Sequence, residues 1–115
     1  MTPRKLATLI AKAAEDIQAA DVVVLDLTLL TSFTDYFVIC SGKSDTQVRA
    51  IADSIVKKLK ENGREATGVE GKDQASWILI DFGDVVAHVF YHDARYFYNL
   101  DKLWSDAPVR RVAHH

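Results

Sequence analysis

Residues 31–52, TSFTDYFVICSGKSDTQVRAIA, combine an apolar strand, a polar turn and the start of an amphipathic helix. The run from Tyr36 to Cys40 is aromatic and β-branched, which favours a strand. In the turn, Gln47 stands three residues after Ser44, the spacing of a capping box in which each side chain bonds the other residue's amide. The stretch therefore predicts a β-strand that leads through a short turn into a capped helix.

The sequence Gly42-Lys43-Ser44 in that turn also resembles the end of a phosphate-binding P-loop. A P-loop needs a further glycine five residues earlier, so that the chain can turn back and successive amides can surround a phosphate. Phe37 occupies that position and lies within the predicted strand. We therefore expect Ser44 to cap a helix rather than to help bind a nucleotide.

The rest of the chain predicts a single α/β domain over residues 1–108, followed by a basic, flexible tail over residues 109–115. Apolar residues at helical spacing predict a helix over residues 3–19 and a second one between Ser44 and Asn62. The aromatic-rich residues 93–104 predict a short helical segment whose rings pack into the core. The strand, helix, strand order implies a parallel crossover, so we expect a mixed sheet of about five strands flanked by helices, with strands over residues 22–28, 36–40, 66–69, 76–82 and 85–91.

The composition is that of an ordinary globular domain, with 49% hydrophobic and 26% charged residues. A net charge of −2 and a pI near 6.0 argue against direct sequence-specific nucleic-acid binding, which needs a basic surface. Any partner attracted by charge should be basic. The single cysteine, Cys40, suits a reducing compartment. Residues 1–18 lack the unbroken apolar core of a signal peptide, so we expect none there, and no run approaches the roughly 20 apolar residues that span a bilayer. We expect a cytoplasmic protein without membrane contact.

Three patterns that could support catalysis or metal binding lack a necessary part. A metal-dependent nucleotidyltransferase needs two carboxylates on one strand face, but no two acidic residues are two apart, and Asp81 and Asp84 bracket a turn. Cys40 lies in an apolar strand and is expected to be buried. His88 and His92 lie about 13 Å apart if both are on a strand, too far for one metal ion. We therefore predict no catalytic residue, no metal and no cofactor.

A β-hairpin over residues 76–91 gives the best candidate for a binding surface, with Gly83-Asp84 as its two-residue turn. One face of this hairpin is apolar and should belong to the core. The other face mixes aromatic, aliphatic and polar groups, which suits a protein interface with apolar anchors and a polar rim. An alternative is that a helix covers this face and makes Trp77 a core residue. Pairing through the turn places Trp77 beside Phe90, Leu79 beside His88 and Asp81 beside Val86.

Several segments together are similar to the ribosomal silencing factor family, also called the Iojap family, over nearly the whole chain and in the same order. Each segment alone is weakly specific, and the set is specific. Within it, Asp35, Tyr36, Gly42, Ser44, Gln47, Gly83, Arg95 and Trp104 are expected to mark the fold. The segments are residues 31–42, Ser44, Gln47, Glu70-Gly71, WILIDFGD at 77–84, HVF at 88–90, Arg95, Tyr98-Asn99-Leu100 and LWSDA at 103–107.

The resemblance implies a nucleotidyltransferase-like fold without catalytic carboxylates, and a translation repressor rather than an enzyme. It implies binding to the large ribosomal subunit through ribosomal protein L fourteen, on the face that meets the small subunit, so that subunit association is blocked under nutrient limitation. A nucleotide-binding enzyme and a homodimeric scaffold remain as alternatives, and the free protein could be a homodimer. We expect an apolar interface centre of Trp77, Leu79, His88 and Phe90, with Asp81 and Glu70 pairing to basic groups of the partner.

Overall fold

The structure is a computed structural model that describes residues 1–111, without the side chain of Arg111. None of the helices in this part of the chain is long and apolar enough to cross a membrane. In chain order the elements are α1 (Pro3–Asp16), β1 (Ala20–Asp26), β2 (Tyr36–Gly42), α2 (Asp45–Glu61), β3 (Gly68–Glu70), β4 (Trp77–Asp81), β5 (Val85–Tyr91), α3 (His92–Tyr98), α4 (Leu100–Leu103) and β6 (Val109–Arg111).

The strands form one mixed sheet in the order β3-β4-β5-β2-β1-β6. β2 and β5 are parallel neighbours, and every other pair in the sheet is antiparallel. The predicted α/β fold with a mixed sheet is confirmed, with six strands rather than about five.

The additional strand, β6, comes from the segment predicted as a flexible tail. Val109 pairs with Leu25 of β1, and the Asp26 N–H donates to the Pro108 carbonyl at 3.0 Å. Charged side chains are common on edge strands, so two arginines there do not prevent pairing. Residues 109–111 are therefore part of the sheet, and residues 112–115 of the predicted tail lie outside the described residues.

Helices α1 and α2 cover one face of the sheet, and their apolar sides form the larger core. The hydroxyl of Ser54 in α2 donates to the Ala13 carbonyl of α1 at 3.1 Å, which ties the two helices together. α1 ends at Asp16, earlier than predicted, because Gln18 has a left-handed φ of 58° that a helix cannot continue through. The fully buried members of this core include Leu6, Ile10, Ile51, Ile55, Leu59, Ile78 and Ile80.

The turn between β2 and α2 caps the helix as predicted, with one difference. Ser44 Oγ accepts a hydrogen bond from the Gln47 N–H at 3.1 Å. The returning bond goes to another residue: Gln47 Oε1 accepts from the Lys43 N–H at 2.6 Å, not from the Ser44 amide. Gln47 Nε2 also donates to the carbonyls of Ile17 and Gln18 at 3.3 Å, so this side chain joins the turn to the end of α1.

Replacing Ser44 by alanine should lower the free energy of unfolding by about 1 kcal/mol, because the Gln47 N–H loses its capping acceptor. Urea denaturation followed by circular dichroism measures the change. Thr46→Ala, at the second residue of α2, is the matched control and should not destabilise, since Thr46 is not the capping residue. Equal stability of wild type and Ser44→Ala would contradict the capping role.

The hairpin of β4 and β5 has the predicted register: Ile78 faces Val89 and Ile80 faces Ala87. Its turn is closed by the Phe82 N–H, which donates to the Val85 carbonyl at 3.0 Å. Gly83 has a φ of +87°, which favours glycine. The same turn bonds the segment before β2, since the Asp84 carbonyl accepts from the Asp35 N–H at 2.8 Å and from the Thr34 hydroxyl at 3.1 Å.

Candidate protein-docking surface

The sheet face opposite α1 and α2 carries a second, smaller core. The segment from α3 to residue 107 lies over part of this face, and the side chains at the start of β4 are only partly covered. The partly buried side chains around this core are Trp77, Leu79, Ala94, Leu100 and Trp104. Its buried members are Val23, Leu25, Leu27, Phe37, Ile39, Val86, Phe90 and Ala107.

A row of eight rings, each in contact with the next, crosses this face, and we call it the aromatic row. At its centre, Trp77 stacks on Phe90 with ring centroids 5.0 Å apart, and Phe37 meets the His88 ring edge-on at 4.4 Å. The row ends in exposed rings on both sides, Phe33 at one end and Phe97 at the other. In order along the face, the aromatic row consists of Phe33, Trp104, Phe37, His88, Trp77, Phe90, Tyr98 and Phe97.

The predicted apolar centre of the interface lies on one face but at two depths. Its residues are Trp77, Leu79, His88 and Phe90. Trp77 and Leu79 are half-buried at the surface. Phe90 is 0% exposed and His88 only 3%, so neither can meet a partner without rearrangement. The expectation of a four-residue apolar centre at the surface is therefore wrong for His88 and Phe90, because β5 is a central strand and neighbouring rings cover its side chains. The alternative that a helix covers this face and makes Trp77 a core residue holds in part, because the segment from α3 covers part of the face and Trp77 packs against the smaller core while staying half-exposed.

Tyr98 is a surface residue that the sequence did not indicate. Its ring lies 4.8 Å from that of Trp77 and is 48% exposed. The prediction that residues 93–104 bury their aromatic rings is wrong for Tyr96, Phe97 and Tyr98, which are all exposed. Short helices α3 and α4 are separated by Asn99 at a left-handed φ of 51°, and neither helix has a fully buried residue.

The two predicted acidic partners differ in their surroundings. Asp81 is half-buried, and its Oδ1 accepts from the Gly83 N–H at 2.7 Å, so part of its bonding capacity is used in the turn. Glu70 is exposed in β3 beside Leu79 and makes no ion pair with the described residues. A groove of about 450 Å³ lies beside this edge, with Val69, Asp73, Trp77 and Tyr98 among its walls.

His88 is a neutral, buried group with one bonded nitrogen. Its Nδ1 accepts a hydrogen bond from the Trp77 Nε1–H at 3.1 Å. Nε2 has no partner among the described residues. Burial lowers the pKa of His88 from 6.5 to about 4, because the charged form would be desolvated. The ring is therefore neutral near pH 7, with its proton on Nε2.

This lowered pKa predicts that stability falls in mild acid. Between pH 6.5 and 4 the unfolded chain binds a proton at His88 that the folded chain does not, so the free energy of unfolding decreases as pH falls. The loss should reach roughly 3 kcal/mol by pH 4 and be absent above about pH 7. Urea denaturation across this range measures it.

Two variants separate this effect from other titrations. His88→Leu should flatten the stability profile between pH 4 and 6.5, whereas His92→Leu, at an exposed histidine, should leave it in place. Hydrogen bonds from Thr28 lower the pKa of Asp26 below 3.8, so protonation of this carboxyl changes the stability only at lower pH. A profile of His88→Leu that parallels the wild type would show that His88 is not the cause.

Arg95 holds α3 against the sheet. Its Nη1 donates to the Asp21 carbonyl at 2.6 Å and to Ser41 Oγ at 3.0 Å. Its Nε and Nη2 donate to the two carboxylate oxygens of Asp101 at 3.3 and 3.1 Å, a bidentate pair. The side chain is only 12% exposed. Arg95 therefore joins the sheet, α3 and α4, and keeps Tyr98 beside Trp77.

Cys40 and three more of the residues expected to mark the fold lie in buried or packed positions. Cys40 is 1% exposed, which confirms that it is buried as predicted. This burial raises the pKa of its thiol to about 12. Gly42 ends β2, where a Cβ would lie 3.0 Å from a Val48 methyl group. Tyr36 is buried in the larger core, and Trp104 packs edge-on against Phe37. Within residues 1–111, no three His, Cys, Asp or Glu side chains group as a metal site would require.

Comparison with known proteins gives one family. A family model described as "Ribosomal silencing factor during starvation" (RsfS) matches residues 1–115. The chain is 46% identical over 109 residues to "Ribosomal silencing factor RsfS" of Bacillus subtilis, which covers 95% of this chain and 92% of that protein. It is 37% identical over 90 residues to the mouse protein "Mitochondrial assembly of ribosomal large subunit protein 1", covering 76% of this chain and 40% of that protein.

Solved structures have the same fold. A crystal structure of a Chromobacterium violaceum protein superposes with a TM-score of 0.89 at 38% identity, covering 91% of this chain and 88% of that one. A crystal structure of a Bacillus halodurans protein gives a TM-score of 0.84 at 43% identity, covering 95% of this chain and 99% of that one. Both identities are high enough for the likeness to reflect common ancestry as well as shape.

Proposed function

Because the chain belongs to the ribosomal silencing factor family, we propose that it binds the large ribosomal subunit through ribosomal protein L fourteen and blocks association with the small subunit. The result is lower translation when nutrients are scarce. This action is steric and needs no catalytic group. In a bacterial cell such a partner gives the chain a cytoplasmic location.

The observation that carries the proposal is the half-open part of the aromatic row at β4. Trp77 and Leu79 are half-buried there, and Tyr98 widens the apolar area. Large aromatic anchors of this kind contribute most of the binding energy in protein interfaces. The surface around them has more acidic than basic groups: Glu70 and Asp73 are exposed and Asp81 is half-exposed, while the exposed Lys72 pairs with Asp53. A basic ribosomal protein would be steered towards this surface by complementary charge.

The surface also supports self-association of the free protein as a second candidate. Trp77 and Tyr98 would then be covered by a second copy of the chain, and a dimer would have to dissociate before it docks on the ribosome. Light scattering of the free protein, with and without large subunits, separates the two states. A nucleotide-binding enzyme is the third candidate, and a flat calorimetric titration with nucleotide and magnesium would eliminate it.

A subunit-joining experiment tests the proposed function. Purified large subunits are incubated with the protein before small subunits are added, and joined ribosomes are measured on a sucrose gradient. We expect fewer joined ribosomes than without the protein, and the protein should migrate with the large subunits alone. Joining at the control level, with the protein in excess and bound to large subunits, would contradict a blocking role.

A further inference from the structure

We propose that His88 positions Trp77 for docking, acting beneath the surface through one hydrogen bond rather than as a contact residue. The inference rests on the proposed function, because it assigns the role of this histidine in that same surface. His88 lies in β5 directly opposite Leu79 of β4, two cross-strand pairs from Trp77 and Phe90 and on the same face of the sheet. It is thus in place to hold a side chain of the neighbouring strand.

The Trp77 ring has one polar restraint among several apolar ones. Phe90 stacks against it with an interplanar angle of 29°, and Tyr98 packs at 4.8 Å with an angle of 47°. Stacking restrains the plane of the indole, but a half-turn about the Cβ–Cγ bond keeps that plane and moves Nε1 to the other side. The Nε1–H bond to His88 Nδ1 at 3.1 Å selects one of these two orientations. The edge that Trp77 presents to a partner is therefore set by His88.

The cost of the histidine supports a positioning role over a stabilising one. Its buried Nε2–H donor has no acceptor among residues 1–111, which is unfavourable for folding. An apolar side chain would avoid that cost and suit the surrounding rings of Phe37, Trp77 and Phe90. Trp77 does not need His88 for its own hydrogen bond, because a half-exposed indole can turn towards water. What the histidine adds is a defined orientation.

Two variants and two measurements test the inference. His88→Leu removes the acceptor, while His88→Asn keeps a side-chain oxygen able to lie near the Nδ1 position. Indole N–H signals in nitrogen-15 NMR spectra report Trp77, with Trp104 as the internal reference. We expect His88→Leu to shift or broaden the Trp77 signal, and to weaken co-sedimentation with large subunits about tenfold, equivalent to about 1.4 kcal/mol. His88→Asn should restore part of both, and His88→Leu should not be less stable than the wild type at pH 7.5.

Three results would overturn the inference. They are an unmoved Trp77 signal in His88→Leu, a moved signal with unchanged affinity, and unfolding of this variant at pH 7.5. Failure of the wild type to bind large subunits is a different result, since it would overturn the proposed function. The docking role of His88 would fall with it, while the NMR spectra would still decide whether His88 orients Trp77.

Discussion

Replacing Trp77 by alanine should weaken binding to large ribosomal subunits at least a hundredfold, a loss of about 3 kcal/mol. Trp77 is the largest half-exposed side chain at β4, and its ring is supported by Phe90, Tyr98 and His88. A supported aromatic side chain loses little entropy on binding, so most of its apolar contact appears as affinity. Co-sedimentation over a range of subunit concentrations measures the effect, and circular dichroism reports whether the fold is retained.

Tyr96→Ala is the matched control for Trp77→Ala. Tyr96 is 69% exposed in α3, and the ring that it contacts is that of His92, outside the aromatic row. Its replacement should leave the affinity within about twofold, because an exposed aromatic without buried support contributes little. A folded Trp77→Ala variant that binds as tightly as Tyr96→Ala would show that the docking surface lies elsewhere.

Replacing Arg95 by leucine should lower the free energy of unfolding by about 3 kcal/mol. The change leaves Ser41, which is 1% exposed, without the Nη1 donor and removes the counter-charge of Asp101. Because Arg95 ties α3 to the sheet, Tyr98 should also lose its position beside Trp77, and docking should weaken. Urea denaturation at pH 7 measures the stability, and co-sedimentation measures the docking.

Arg49→Leu provides a control with similar bonding at the surface. Arg49 donates to the Lys72 carbonyl at 2.8 Å and to the Asp73 carbonyl at 2.6 Å, and pairs with Asp45 at 3.3 Å. Its side chain is 36% exposed, against 12% for Arg95, so water can replace its bonds and the loss should stay near 1 kcal/mol. Equal losses for the two variants would mean that burial gives Arg95 no special role.

Local pattern predicted much of the fold. The Gly83-Asp84 turn and the alternating residues of β4 and β5 determine the hairpin register, because a shift of one residue would expose its apolar face. Ser44 and Gln47 likewise predicted the start of α2 from residues within one turn. The pattern missed a long-range contact: β6 pairs with β1, whose residues lie more than 80 positions earlier in the chain.

The docking surface was predicted less completely, because it too depends on contacts between residues far apart in the chain. Alternation showed that Trp77, Leu79, His88 and Phe90 share one face, but not how deeply each is buried. Their depth depends on the segment over this face, which is held by the Arg95 bond to a carbonyl 74 residues earlier. The Trp77 to His88 hydrogen bond also depends on side-chain orientation across two strands, which periodicity does not specify.

Photo-cross-linking from the docking surface tests the central claim most directly. A photoreactive amino acid replaces Leu79, beside Trp77 on the open face, and the protein is irradiated with purified large subunits. We predict one main adduct, with ribosomal protein L fourteen, that disappears in the Trp77→Ala background and does not form with joined ribosomes. An adduct with another ribosomal protein or with ribosomal RNA, or equal cross-linking to joined ribosomes, would contradict the account.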